Sequence, residues 1–283
     1  MEWLVQGICL IVGFCSPLRP ARSWRWQGEE LSPQSGRAVL PKVLLVGPLP
    51  APPHKGGVEK GVDLLLHTDL ADQTRMTLFN TFRSPEPGRP LWERVAYQTR
   101  MLHRFYRTLK DQEPDIVHVK TSSGVNFLQN SLYACVARLS GFPVALQIHS
   151  GRFETFYSGS SALLRAWIRH SLRRADRVLV LSRSWAERIR RIVPSAKTRV
   201  VPNGLSQDEI ARLSMGPSRR PGQVFFLGAG REDLKRDKGL QDILAILPEA
   251  LRRHPASRWI LAGLVDAEAT SAEIAEEARV RCL

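Results

Sequence analysis

The residues best suited to chemistry lie in one stretch, FLGAGREDLKRDKG, from Phe226 to Gly239. An apolar strand runs into Gly228 and Gly230, and Arg231 and Lys238 stand just before a helix. Such a turn presents free backbone N–H groups at a helix N-terminus, where the dipole is positive. With two fixed cations added, it suits a departing diphosphate. Fixed positive charge in a water-poor cleft stabilises the charge that builds on a leaving oxygen, and one lost donor in a site of this kind costs about 10²–10³ in rate. Arginine matches planar multi-oxygen contact and lysine a point contact. Lys235 is a third cation in the same loop.

A second glycine turn, Gly56-Gly57-Val58-Glu59, follows the first apolar run of the chain. Glycines there let a backbone approach a ligand, and the helix that begins there has unpaired N–H donors. Glu59 in the first turn favours the helix dipole. His149 lies just past another apolar run, in IHSG. A neutral imidazole donates to or accepts from a ligand's hydroxyl or ether oxygen. His118, inside DIVHV, reads as a structural strand residue, and Asp176, in RADRVLVLS, as a cap. Ser182 ends that last strand at the same sheet edge as His149.

The elements that must hold these residues alternate short apolar runs with longer amphipathic ones. Strands are expected at Lys42–Gly47, Arg75–Phe82, Asp115–Val119, Val144–Ile148, Arg177–Leu181 and Arg199–Val201. Helices are expected at Gly56–Leu70, Pro90–Gln112, Ser122–Leu139, Ser161–Arg173 and Arg183–Ile192. Continuous apolar strands separated by helices imply a parallel sheet covered on both faces, and the strand ends are where such sheets bind ligands. A polar, Pro/Gly-rich stretch follows Pro202-Asn203-Gly204, and then the alternation restarts. Its elements are strand Val224–Leu227, helix Leu240–Arg253, strand Trp259–Ala262 and helix Ser271–Val280. The expected division is therefore an N-terminal extension at 1–40, a first doubly wound domain at 41–206, a linker at 207–222 and a second domain at 223–283.

Composition supports a packed chain with anionic partners. The 283 residues are 43% apolar, with 10 Phe and 7 Trp, and the formal net charge is +14. This excess favours nucleotide phosphates, an anionic bilayer or nucleic acid. Arg165, Arg169 and Arg173 form a stripe at helical spacing, with Trp167 and Trp185 nearby, which suits an anionic bilayer surface or a solvated face. No recognition motif with interleaved aromatics supports nucleic-acid binding. The four cysteines show neither zinc nor CxxC spacing, which fits a reducing compartment. No Asp-x-Asp metal motif, Walker loop or GxSxG is present in the sequence. The apolar run Trp3–Leu18 is short for a bilayer span and lacks a basic region before it, so anchor, signal and early start site stay open.

Four segments together resemble glycosyltransferase family 4: KVLLVGPLPAPPHKGGVE, PVALQIHSG, RADRVLVLSRS with RVVPNG, and FLGAGREDLKRDKG with PASRWILAG. The resemblance covers Lys42 to about Gly263. It implies the α/β GT-B fold, two Rossmann-like doubly wound domains, and transfer of a hexosyl group from a UDP- or GDP-sugar to a glycan or lipid-linked acceptor with retention. The nucleotide-sugar is a substrate, and no cofactor or metal is implied. The resemblance places His149 against the transferred sugar and Arg231 and Lys238 on the diphosphate. Gly56, Gly57, Gly228, Gly230 and Lys235 fall on the donor side, and Glu59 on the acceptor side. The family pattern has its arginine directly after the glycine; here Arg231 is displaced by two, so either a longer loop still lets it reach or Lys235 or Arg236 substitutes.

The family's two later glutamates, about seven residues apart, have no matching glycine-rich context after Gly263. The second domain is thus expected to be incomplete and turnover impaired. A cytoplasmic chain, peripheral at the inner membrane face, is the expected setting. The rival reading is a non-catalytic acceptor- or membrane-binding module, or a half-enzyme completed by a partner chain.

Overall fold

The computed structural model describes residues 40–50, 57–82, 90–214, 223–227, 240–262 and 280–282. The chain forms two compact units that divide between Ile210 and Ala211.

The first unit is built on a six-stranded sheet. Its elements are β1 (Lys42–Gly47), α1 (Gly57–Leu66), α2 (Asp69–Asp72), β2 (Arg75–Asn80), α3 (Leu91–Gln112), β3 (Ile116–Thr121), α4 (Val125–Leu139), β4 (Val144–Ile148), α5 (Phe153–Ser158), α6 (Ala162–Arg174), β5 (Arg177–Val180), α7 (Arg183–Ile192) and β6 (Thr198–Val200), and the division falls within α8 (Gln207–Ser214). Every strand pairing is parallel, in the order β2-β1-β3-β4-β5-β6. Parallel strands need crossovers, and the intervening helices supply them. The order reverses between β1 and β3. In open sheets of this kind the crevice at the carboxyl ends of the reversing strands is the ligand site.

The register sets two unlike faces. Leu44, Val46, Val117, Val119, Leu146 and Ile148 are all buried in one apolar cluster with Phe105 and Leu109 of α3 and Phe127 and Tyr133 of α4. Phe79, Phe105 and Tyr133 meet edge to face, with centroids 5.1–5.5 Å apart. The alternate positions, Leu45, Gly47, His118, Lys120 and Gln147, point the other way, because successive side chains on a strand alternate. That face lies under α1, whose Val62 is fully buried. α1 packs close because Gly47 carries no side chain: a Cβ there would stand 2.8 Å from Val62 Cγ2.

Local chemistry fixes the ends. Ser161 caps α6 by accepting from the Leu164 N–H at 3.4 Å, and Ser182 caps α7 by accepting from the Trp185 N–H at 3.3 Å. Asp176 accepts from the Val144 N–H at 2.8 Å and pairs with Arg138 at 3.1 Å, so it ties β4 to β5 at their amino ends. This is the capping role expected for it.

In the second unit, β7 (Gln223–Leu227), β8 (Arg258–Ala262) and β9 (Val280–Cys282) form a parallel three-stranded sheet in that order. α9 (Leu240–Arg253) buries Leu247 and Leu251 against Trp259, whose indole donates to Ser257 Oγ at 3.1 Å. Two strands are expected here, and β9 is a third; the expected helix Ser271–Val280 lies outside the described residues except for Val280, which opens β9. In the first unit α5 is an added helix, and β3 runs on past Val119 to Thr121. Gly56–Leu70 splits into α1 and the short α2. The stretch expected to begin a linker opens as the helix α8.

Candidate functional site

The carboxyl ends of β1, β3 and β4 gather polar groups on the face beneath α1. His118 and Lys120 alternate along β3, and Gln147 on β4 is the register partner of Lys120. His118 Nε2 and Gln147 Oε1 are 2.9 Å apart. One step past β4, the His149 N–H donates to the Thr121 carbonyl at 2.8 Å, which extends the ladder and fixes where His149 leaves the sheet. The loops after β3 and β4 are pinned to one another. Ser150 Oγ donates to Ser123 Oγ at 2.8 Å, and the Ser122 N–H donates to Asn126 Oδ1 at 2.8 Å. The imidazole therefore sits on a rigid edge.

Three titratable groups share this space. Burial, then the nearby Lys120 charge, pushes His118 down to about 4. Burial, then Lys120 and His118, pushes His149 down to about 3. Burial pushes the Lys120 amine down to about 8. At neutral pH both histidines are neutral and the positive charge rests on Lys120. Both ring nitrogens of His149 are buried without a hydrogen-bond partner. An orphaned buried polar group costs about 1–3 kcal/mol, and both nitrogens keep their hydrogen-bonding capacity unused.

Gly61, on α1, closes the site. A Cβ built there would lie 2.8 Å from Lys120 Nζ and 3.8 Å from His149 Cε1. The amine and the imidazole thus flank one point against the helix backbone. At Gly57, in the first turn, a Cβ would meet nothing within 4 Å among the described residues. Glu59 is half-buried in that first turn.

Of the residues singled out in the sequence, His149, Gly57 and Glu59 fall in this region, and so does His118, expected only as a structural strand residue. Gly56, Gly228, Gly230, Arg231, Lys235 and Lys238 lie outside the described residues. Lys120 and Gly61 were not singled out. Lys120 follows DIVHV directly, and its signal was a charge at an in-facing position of a buried strand.

Around the basic stripe on α6 the aromatic neighbours are turned inward. Arg169 donates to the Tyr157 hydroxyl at 2.9 Å, and Trp167 donates to Ser131 Oγ at 2.8 Å while packing on the core. Trp185 also packs on the core and lines an apolar pocket with Ile148, Phe153, Val180 and Ile189. The aromatics beside the stripe are therefore packed inward, because each finds an apolar or polar partner in the fold. Among the described residues no group of acidic, His and Cys side chains is arranged to hold a metal ion, and no helix is long and apolar enough to cross a membrane.

Residues 47–204, more than half of the chain, match the model of the glycosyl transferase 4-like domain. The chain belongs to that family. Two curated relatives are GDP-mannose:cellobiosyl-diphosphopolyprenol alpha-mannosyltransferases, from Xanthomonas campestris and from Xanthomonas oryzae pv. oryzae. Each is 30% identical over 153 residues, which is 53% of this chain and 37% of the relative. The alignment thus spans little more than a third of those enzymes. Among solved structures, a sucrose-phosphate synthase from Thermosynechococcus elongatus aligns with a TM-score of 0.58 at 17% identity, over 86% of this chain and 70% of its own. The UDP-GlcNAc 2-epimerase of Neisseria meningitidis aligns with a TM-score of 0.51 at 15% identity, over 86% of this chain and 72% of its own. At these identities the likeness is one of fold: α/β, with the parallel sheets shared by GT-B glycosyltransferases and epimerases.

Proposed function

We propose that this glycosyltransferase-family chain moves a hexosyl group from a nucleoside-diphosphate sugar to a glycan or lipid-linked acceptor, with retention at the anomeric carbon. The observation that carries the reading is the neutral His149 imidazole, with both nitrogens buried and unpartnered at the carboxyl edge of β4. A charged imidazole would repel a sugar carbon gaining oxocarbenium character. A neutral one donates one hydrogen bond and accepts another, which suits ring and hydroxyl oxygens.

His149 holds the sugar, and the departing diphosphate takes its charge stabilisation from Arg231 and Lys238. The acceptor oxygen enters on the face that the diphosphate leaves, which conserves the anomeric configuration. Glu59, in the first turn of α1, takes an acceptor hydroxyl. GDP-mannose is the donor to try first and a diphosphopolyprenol-linked glycan the acceptor, because the curated relatives are named for that pair. UDP-sugars are the comparison donors.

A lipid-linked acceptor needs the chain at a bilayer, at the cytoplasmic face where nucleotide-sugars are held. The inward packing of Trp167 and Trp185 moves the favoured contact from α6 to α3. There Trp92 is 70% exposed, and Val95 and Tyr106 are exposed among Arg94, Arg100, Arg104 and Arg107. Aromatics flanked by arginines suit an anionic headgroup region.

One assay tests both parts. Donor consumption is followed with acceptor carried in anionic vesicles or in detergent, and the product anomer is read by NMR. Transfer with retained configuration is expected, lost by roughly 10²-fold in His149→Ala. Trp92→Ala is expected to slow the vesicle reaction only. No consumption of any nucleotide-sugar, or an inverted product, sinks the reading.

A further inference from the structure

Lys120 is a buried amine with no anion beside it among the described residues. Its residue is only 3% exposed, it is the next-to-last residue of β3 beside the point where strand order reverses, and no carboxylate among the described residues pairs with it. Its near neighbours on the sheet are His118, Gln147 and His149, none of which supplies negative charge at neutral pH. On the other side lies the backbone of α1 at Gly61, whose missing Cβ leaves room for the amine. The first turn of that helix adds positive potential rather than offsetting it. Burying an unpaired ammonium is unfavourable, and such a group normally neutralises or finds a counter-ion. The fold spends stability to hold a cation where a parallel sheet takes its ligand.

We infer that Lys120, flanked by His149 and the Gly57–Gly61 turn of α1, is a subsite for a phosphoryl group of the substrate. The amine gives a point contact to one anionic oxygen. The His149 nitrogen that carries the proton donates to a second oxygen or to the sugar beside it. First-turn N–H groups of α1, without intrahelical partners, complete the cradle. The phosphoryl group belongs either to the nucleoside-diphosphate donor or to a phosphate-linked acceptor; the chemistry is the same, and the assay separates them. The inference deepens the transfer reading and depends on it only for the identity of the phosphate's carrier.

The test uses the full chain with ¹³C-labelled lysine. The Lys120 ε-methylene signal is identified by its loss in Lys120→Met and, independently, as the lysine of lowest titration midpoint. The midpoint is followed without ligand, then with inorganic pyrophosphate, GDP, and geranyl diphosphate. An anion against the amine favours its charged form, so the midpoint is expected to climb from about 8 toward the ordinary lysine value. Lys120→Met is expected to weaken pyrophosphate binding by about tenfold or more.

A response to GDP alone assigns the subsite to the donor, and a response to geranyl diphosphate alone assigns it to the acceptor. A midpoint that stays put while all three saturate the protein elsewhere, or a failure of all three to bind, overturns the inference. A chain that transfers sugar yet leaves Lys120 silent overturns this subsite and not the transfer. A chain whose Lys120 responds but which transfers nothing does the reverse.

Discussion

The two faces of the six-stranded sheet carry opposite loads. Toward α3 and α4 the strands present Leu44, Val46, Val117, Val119, Leu146 and Ile148 to Phe105, Phe127 and Tyr133, with no charged side chain among them. Toward α1 the same strands present His118, Lys120 and Gln147, with His149 just beyond. The first face is built for burial, which at roughly 25 cal/mol per Å² of apolar surface is the main favourable term in folding. The second carries groups that oppose folding: a buried amine and two imidazoles whose ordinary protonation the fold suppresses. One side of a strand stabilises and the other works, because alternation lets a single strand serve both.

The largest expected effect breaks the stabilising face. Phe105 is fully buried and meets both Phe79 and Tyr133 edge to face at 5.1 Å. Phe105→Ala removes the ring and leaves a cavity among rigid neighbours, so the loss should be about 3–5 kcal/mol in denaturant unfolding. A loss below about 1 kcal/mol would show that the cluster collapses around the gap and is not the tightly packed side of the comparison.

The working face should show itself through pH. Both histidines titrate near 6.5 when unfolded, and in the folded chain at about 4 (His118) and about 3 (His149). Their folded values are depressed, so their contribution is fully present above pH 6.5. It drains away as pH falls from 6.5 toward 4 and 3, because the unfolded chain takes up protons that the folded chain refuses. Thermal melts across this range should show an acid limb beginning near pH 6.5. In His118→Gln the limb should shrink, and in His118→Gln/His149→Asn it should fall to the smaller part left by His170, which burial and then Arg174 and Arg173 also hold below the ordinary value. Equal limbs in the native and double-variant proteins would mean that solvent reaches these rings and the second face is not dry.

How much of this was legible depends on which face a residue serves. β1, β4 and α7 were readable to the residue because a parallel strand is apolar on both sides and α7 alternates arginines with Ala186 and Ile189. β3 was cut short at Val119 because Lys120, a charge, reads as a strand's end when it faces inward; only the packing of α1 above it shows otherwise. His149 was legible as a position, one step past a strand, but the strength of its neutrality was not, since that follows from burial first and then from Lys120 beside it. Gly61 gave no signal, because a glycine inside a helix looks like a weak point until the amine beneath it is seen. Trp167 misled: beside arginines it resembles an interfacial aromatic, yet its indole is committed to Ser131. Long-range contact, not local pattern, decided each of these.

The smallest effect sharpens the comparison most, since it sets two glycines of the same face against each other. At Gly47 an added Cβ would meet Val62 Cγ2 at 2.8 Å and Lys120 Cβ at 3.6 Å. Val62 is β-branched, fully buried and unable to swing clear, so Gly47→Ala should cost about 1–3 kcal/mol as overpacking. At Gly61 the Cβ would meet Lys120 Nζ at the same 2.8 Å, but Nζ is the free end of a flexible chain. The amine can shift, and replacing glycine by alanine inside a helix returns up to about 1 kcal/mol, so Gly61→Ala should be near neutral in stability. The displaced amine leaves its cradle and becomes better hydrated, which should raise its titration midpoint above the native value of about 8. Equal distances would then give unequal outcomes, one read in unfolding and the other in a single lysine's charge. If Gly61→Ala instead destabilises as much as Gly47→Ala, the amine is locked by its surroundings and cannot yield to the new methyl.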